Sequence, residues 1–442
     1  MKNNVITFLL MFVSLTCFSQ IEEKNNAGYD LGNGINFSFN EGKYEFNIRG
    51  FIKPAYIYSD EKRFDNEGQY SDVYRQFKSQ NSNLFISGMA IDEKLSFTIQ
   101  MDYSSADPLN EAYIGYHFSE KSILFFGQKQ VSHNNLEMVH KEDNLRFTSR
   151  GMLSETFSGS GEEFGVFFET SFGNQFLVKP TLAVTSGDGR NSFGDDSRDT
   201  DKGGLKLGSR INIYPMGDFS EGNRHTTVDL VGEESLKIQL GTAFSRNYGA
   251  SNLVGDGHGD FILYDDSGKE QFPDYSQLFI DLNLKYKGFS VLVEYADSFA
   301  SGLNNIYTDP NGFNILQPSQ ISDYLVLGDS QGIQLGYFTK NGYSFDFIFE
   351  KFIPEFTQNT NSILRESTNL GFGVSKYLAN NNLKLQLSAF KMDYDNSGLN
   401  LQNDEFMFQV PSIHLISGKP VSYTHLRAHE TLRYLVCRLL LE

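Results

Sequence analysis

Glu111–Phe172 decides the fold. It opens with EAYIGYHF (Glu111–Phe118), turns through Ser119-Glu120-Lys121, continues as SILFFGQK (Ser122–Lys129), runs through a long stretch from Gln130 to Glu162, and resumes as EFGVFFETSF (Glu163–Phe172). In each strand-like piece alternate residues are apolar. In the first, the other set is Glu111, Tyr113, Gly115 and His117, a mixture of polar and small groups. Period two with two unlike faces is the signature of a sheet, not a helix. A long structureless connection is uncommon in a compact soluble domain. A transmembrane β-barrel, by contrast, joins its strands by short turns on one side and long loops on the other.

The same pattern extends in both directions. Sixteen strand-like segments run from Tyr44–Tyr58 to Phe406–Ile416, an even number as closed bacterial barrels require. Asp92-Glu93-Lys94, Gly173-Asn174-Gln175, Lys287-Gly288, Lys340-Asn341-Gly342 and Ala379-Asn380-Asn381 read as tight turns, because Gly and Asn tolerate the positive φ of hairpins. Asp60–Gln80, Gln130–Glu162, Ser186–Gly204, Tyr248–Gln277 and Ala300–Gln331 are the long connections. Pro215–Leu236 breaks the rule as a long connection on the short-turn side. The expected fold is all-β, a 16-stranded antiparallel transmembrane barrel with short periplasmic turns and long extracellular loops.

Alternation also assigns faces. Leu278, Ile280, Leu282 and Leu284 oppose Phe279, Asp281, Asn283 and Lys285, and Leu383, Leu385 and Leu387 oppose Lys384, Gln386 and Ser388. A lipid-facing charge costs about 2–4 kcal/mol near mid-membrane, so the charged sets turn inward. This gives a polar lumen lined by Arg49, Lys53, Lys179, Lys206, Arg210, Lys237, Lys285 and Lys384, against Asp102, Glu169, Asp281, Glu294, Asp346 and Glu350.

Composition agrees. The chain has 442 residues, with 40 Phe, 23 Tyr and no Trp. Its mean hydropathy of -0.36 suits a barrel, in which only alternate strand residues meet lipid. A net charge of -18 argues against a nucleic-acid partner. Met1–Gln20 carries Lys2, an apolar core from Val5 to Leu15 and the small Ser19, the pattern of a secretory signal. Residues 21–43 then read as a periplasmic leader and 44–419 as the barrel.

At the other end, VSYTHLRAHET from Val421 and LVCRLLLE from Leu435 resemble in-frame translation of the adapters used in transposon-based sequencing libraries. We therefore set 420–442 aside as an adapter-derived artefact, with the barrel cut short near Lys419. This removes His425, His429 and Glu430 as a metal motif, and Cys17 with Cys437 as a disulfide.

FTIQMDY (Phe97–Tyr103), NEAYIGYHF (Asn110–Phe118), ILFFGQK (Ile123–Lys129) and LRFTSRGMLSETFSGSGEEFGVFFE (Leu145–Glu169) resemble, in that order, the phosphate-selective porin O and P family. The resemblance implies a Gram-negative outer-membrane barrel in contact with outer-membrane lipid, commonly a homotrimer. It further implies that small hydrophilic or anionic solutes pass a third loop folded into the pore. On that loop the constriction residues would be Lys141, Arg146, Arg150, Glu137 and Glu155, which do not form the family's basic ladder.

Other functions find little support. No cofactor motif, phosphate-binding glycine loop or catalytic signature is present; Ser154 and Ser158 near His140 lack the setting of a nucleophile. His133 and His140 have no third ligand in sequence, and Asp195, Asp196, Asp199 and Asp201 do not follow EF-hand spacing. The alternative from another class is a surface-binding barrel whose loops capture a nutrient or polymer, to which Phe261, Tyr264, Phe272 and Tyr275 could contribute.

Overall fold

The computed structural model describes residues 26–30, 32–65, 68–159, 161–190, 204–255, 260–379, 381–394 and 404–410. They build one antiparallel sheet. Its strands are β1 (Asn26–Asp30), β2 (Gly34–Phe39), β3 (Tyr44–Gly50), β4 (Pro54–Asp65), β5 (Gly68–Ser79), β6 (Asn83–Ala90), β7 (Leu95–Asp102), β8 (Leu109–Ser119), β9 (Ser122–Gln130) and β10 (Glu162–Thr170). They continue as β11 (Leu177–Thr185), β12 (Lys206–Tyr214), β13 (Lys237–Asn247), β14 (Asp274–Tyr286), β15 (Phe289–Ser301), β16 (Gly328–Phe338), β17 (Tyr343–Pro354), β18 (Ser367–Tyr377), β19 (Lys384–Tyr394) and β20 (Asp404–Val410). From β6 onward each strand pairs with the next, and β20 pairs with β19 on one side and β4 on the other, so the wall closes. Closure is what lets a sheet cross hydrocarbon, where backbone groups must be satisfied internally.

Twenty strands stand among the described residues where sixteen were expected. The first two staves are interrupted, at 51–53 between β3 and β4 and at 80–82 between β5 and β6. Phe51 and Asn83 still exchange backbone hydrogen bonds there, at 2.9 and 3.0 Å. The other two are β1 and β2, which occupy much of the span expected as a leader; β2 pairs with β3 from Ile35↔Ile48 to Phe39↔Tyr44. Ile35, Phe37 and Phe39 alternate with Asn36 and Ser38, a short period-two pattern hidden among Asn and Gly. The expected long loop Asp60–Gln80 is instead a ladder, β4 on β5, from Pro54↔Ser79 to Asp65↔Gly68. The signal segment, the 420–442 tail, the aspartate run from Asp195 to Asp201 and the last strand beyond Val410 lie outside the described residues.

The two faces are distinct. On β14, Phe279, Asp281, Asn283 and Lys285 are buried inside, while Ile280 is 49% exposed on the outside between Leu278 and Leu282. Leu182, Phe244, Phe345 and Phe372 continue this apolar outer surface. Lys287-Gly288 turns β14 into β15 with φ of 48° and 87°, the left-handed pair that a two-residue hairpin needs.

The inside is filled on one side. Residues 131–159 fold inward with two short helices, α1 (Leu136–Val139) and α2 (Met152–Phe157). Leu153 and Phe157 of α2 pack on Ala243, Phe279, Ala296 and Phe352 of the inner wall. From the short-turn side Pro215–Leu236 also reaches inward: Asn223, Thr226, Thr227, Val228 and Asp229 are all buried.

The outer face carries a direct expectation. Ile280→Lys places a charge in the apolar band and should cost about 2–4 kcal/mol. Chemical unfolding of the refolded barrel in lipid measures it; a cost near zero would place Ile280 away from hydrocarbon.

Candidate functional site

The infolded loop is first tied to itself. Val131 N–H donates to Gly161 O at 3.0 Å across its base, and Gln130 Nε2 donates to Met138 O at 2.6 Å. Arg150 gathers the middle: its guanidinium donates to Glu137 O (2.7 Å), His140 O (2.8 Å) and the Glu142 carboxylate (2.7 Å). The Glu137 carboxylate accepts from Gly151 N–H (2.8 Å), Ser154 Oγ (2.5 Å) and Gln334 Nε2 (2.7 Å). The Ser154 hydroxyl is thus a brace within the loop.

The wall holds the loop mainly through charge. Arg146 is fully buried; it pairs with Asp346 of β17 at 3.2 Å and donates to Ser290 Oγ (3.0 Å) and Thr227 O (2.8 Å). Lys384 donates to Asp143 O (2.8 Å) and Leu145 O (3.0 Å). Arg210 grips both oxygens of Asp281, at 2.7 and 2.6 Å, and donates to Asn134 O at 2.9 Å. Lys206 pairs with Glu163 at 2.5 Å. From the acidic side, Glu350 accepts from Met152 and Leu153 N–H at the start of α2 (2.9 and 3.0 Å), and Glu294 accepts from Glu137 N–H (2.9 Å). An inward-folded backbone loses its water, and charge-assisted hydrogen bonds replace it.

The second infolded segment is held in the same manner. Lys285 donates to Asn223 O (2.6 Å) and Thr226 O (2.5 Å), Lys179 pairs with Asp218 (2.8 Å) and Lys237 donates to Met216 O (2.8 Å). Thr226 Oγ1 donates to Asn144 O at 3.0 Å, so this segment and the loop meet inside the barrel.

Of the charged residues expected to line the lumen, Lys179, Lys206, Arg210, Lys237, Lys285 and Lys384 therefore anchor loops or pair with acids. Arg49 and Lys53 lie on the opposite side. Arg49 is 3.4 Å from Asp143 and stacks over Phe85, and the buried Lys53 ammonium has no hydrogen-bond partner among the described residues. Of the five expected constriction residues, Glu137 and Arg146 are spent in holding the loop, Glu155 is exposed, and Lys141 and Arg150 border open space.

That space is two polar chambers between the loop and the β3–β9 wall. The one toward the long loops is about 340 Å³, with Lys78, Gln100, Asp102, Glu142, Arg150 and Arg190 among its lining. The one toward the short turns is about 490 Å³, bordered by Arg49, Phe51, Asp143, His225, Asn381 and Asn382. Sequence reasoning missed that inward-facing strand glycines mark where the loop presses on the wall. A Cβ at Gly208 would fall on the His133 ring, one at Gly336 on the Arg146 guanidinium, and one at Gly373 within 2.8 Å of Phe147. Among the described residues no cluster of His, Cys, Asp or Glu is arranged to hold a metal ion.

Two expectations follow from the anchoring. Arg146→Met leaves Asp346 buried without its cation and should cost about 3–5 kcal/mol of local stability. Hydrogen exchange in 132–158 should accelerate while the wall stays protected; unchanged exchange would refute the anchor. The second concerns pH. Burial, reinforced by the charge of Lys285, holds His140 well below 6.5, and burial also lowers His133, opposed in part by Glu163. Just below pH 6.5 the released loop binds protons at these two imidazoles that the folded loop resists, so the stability they contribute is full above that value and declines as pH falls, while the raised Glu155 carboxyl on the same loop acts in the opposite sense. Protection in 132–158, corrected for intrinsic rate, should therefore change less favourably between about pH 7.5 and about pH 5 in wild type than in His140→Gln.

No family model matches the chain, and no curated protein is similar to it in sequence. Solved structures do share its fold. The anion-selective porin from Comamonas acidovorans superposes with a TM-score of 0.51 at 10% identity, covering 84% of this chain and 99% of that one. The outer membrane channel DcaP of Acinetobacter baumannii gives 0.51 at 12% identity, covering 84% of this chain and 97% of that one. At this identity the likeness is one of architecture, and the architecture is that of outer-membrane porin barrels.

Proposed function

We propose that the protein is an outer-membrane porin through which small hydrophilic solutes and ions diffuse passively, with a modest anion bias. The observation that carries this reading is the pair of polar chambers that follow one another along the β3–β9 wall of a closed barrel. Charge rings on a pore wall set ion preference. On its lining the chamber near the long loops sets Lys78, Lys141, Arg150 and Arg190 against Asp102, Glu142 and Glu162, and Glu111 behind it pairs with Lys141, so the chamber is close to balanced and the anion bias rests on the O and P resemblance.

The O and P resemblance of Phe97–Glu169 supports an anion bias toward phosphate and a homotrimer in the outer membrane of a Gram-negative bacterium. In the same reading Met1–Gln20 directs export, and 420–442 is no part of the barrel. The surface-capture alternative loses its main feature. Tyr275 is buried and Phe261 packs on Tyr324 at 5.1 Å, so two of its four aromatics belong to a loop core rather than to an exposed platform.

The purified protein should produce stepwise conductance in planar bilayers, with a reversal potential on the anion side under a potassium chloride gradient. Absence of steps from correctly folded protein would end the porin reading. A cation-side potential would end the anion bias alone.

A further inference from the structure

Among the described residues the two chambers share one lining residue, Lys141, with Glu142 bordering the first and Asp143 the second. The Lys141 side chain leaves the infolded loop and crosses to the wall. Its ammonium lies 2.6 Å from Glu111 Oε2 on β8 and donates to Gln100 Oε1 on β7 at 2.8 Å. Both acceptors are held in place before the lysine arrives. Glu111 Oε1 accepts from Gln130 N–H at 2.8 Å, and Gln100 Nε2 donates to Asn83 Oδ1 at 3.0 Å. The carboxylate is buried, while the Lys141 side chain keeps 26% of its surface exposed. The catch is therefore rigid and the bar flexible.

We propose that the Lys141–Glu111 bridge is a gate between the two chambers, and that it favours solutes carrying a carboxylate or phosphate over neutral ones of the same size. This rests on the porin reading. Passage from one chamber to the other runs past the bridge, so the ammonium must leave its catch as a solute goes by. A solute carboxylate or phosphate can take over the exposed ammonium, and so replaces the interaction it breaks. A neutral solute replaces nothing and waits for spontaneous opening, which side-chain motion supplies on a fast timescale. The bridge thus passes solutes that bring an anionic group of their own, zwitterions included, and delays neutral ones.

The test uses Lys141→Ala, which removes the bar, and Glu111→Gln, which leaves the bar and weakens the catch. Single-channel conductance in potassium chloride should rise about twofold in Lys141→Ala, as expected for clearing a side chain from a narrow polar passage. In liposome swelling, entry of a neutral pentose relative to an amino acid of similar size should rise in both variants. Gln100→Leu removes only the second acceptor and supplies a further arm should Glu111→Gln fail to fold. If wild type conducts and every folded variant matches it in conductance and in the pentose ratio, the gate is wrong and the porin reading stands. If folded wild type and variants alike fail to conduct, both fall.

Discussion

A strand that crosses a membrane presents every second side chain to the interior of a closed wall, and this one wall must also receive two lengths of loop. The interior is consequently a place where backbone N–H and C=O groups have lost their water, and each needs a new partner. The inward charges of the wall provide them. Lys285 and Lys384 cap loop carbonyls, Glu294 and Glu350 receive loop amides, and Arg146 reaches out of the loop to Asp346 and to the other infolded segment. Breaking one such contact is costlier than its net worth, because the group left behind is already desolvated.

This divides the barrel lengthwise. On the β13–β19 side, α2 lies against Ala243, Phe279, Ala296 and Phe352, and Pro215–Leu236 fills the space toward the short turns. On the β3–β9 side the loop stands away from the wall and leaves the two chambers. The chambers are therefore lined on one side by strands and on the other by the loop segment Val139–Arg150, joined toward the short turns by Glu221, His225, Thr226 and Leu230 of the second infolded segment. Their charge comes from both sides, which accounts for a mixed lining rather than a ladder of one sign.

Much of the fold was legible because the alternation of strands depends only on the pleat and on which face meets hydrocarbon. LFIDLNLK at Leu278–Lys285 states both, and Lys287-Gly288 states the turn. The site was less legible. Alternation tells that Lys285 points inward, but an inward lysine can face water or a loop carbonyl, and nothing local in the sequence separates the two. Two signals did exist. Pro215–Leu236 was too long for its side of the barrel, and it proved to be the second infolded segment. Glycines at inward positions of otherwise ordinary strands, such as Gly336 and Gly373, had no reason in a water-filled lumen; their reason is the Arg146 and Phe147 side chains that occupy the missing Cβ space. Ile35–Phe39 went unread because five residues carry too short a period to stand out from a polar segment.

Selectivity in such a barrel is then decided by what remains after anchoring. Most of the basic residues that alternation sends inward neutralise acids or cap carbonyls, and so contribute little field to a passing ion. The acids of the loop divide similarly: Glu137 is enclosed, while Glu142, Asp143 and Glu155 keep an open side. A count of inward charges would thus misjudge the pore. The field belongs to the smaller group facing the chambers, and Lys141, which the loop extends across the gap to Glu111 on the opposite wall, stands between them. A barrel of this design can change the charge of its chambers by altering the few residues along β3–β9 and 139–150, while the larger set of inward charges stays fixed by the need to keep two desolvated loops in place.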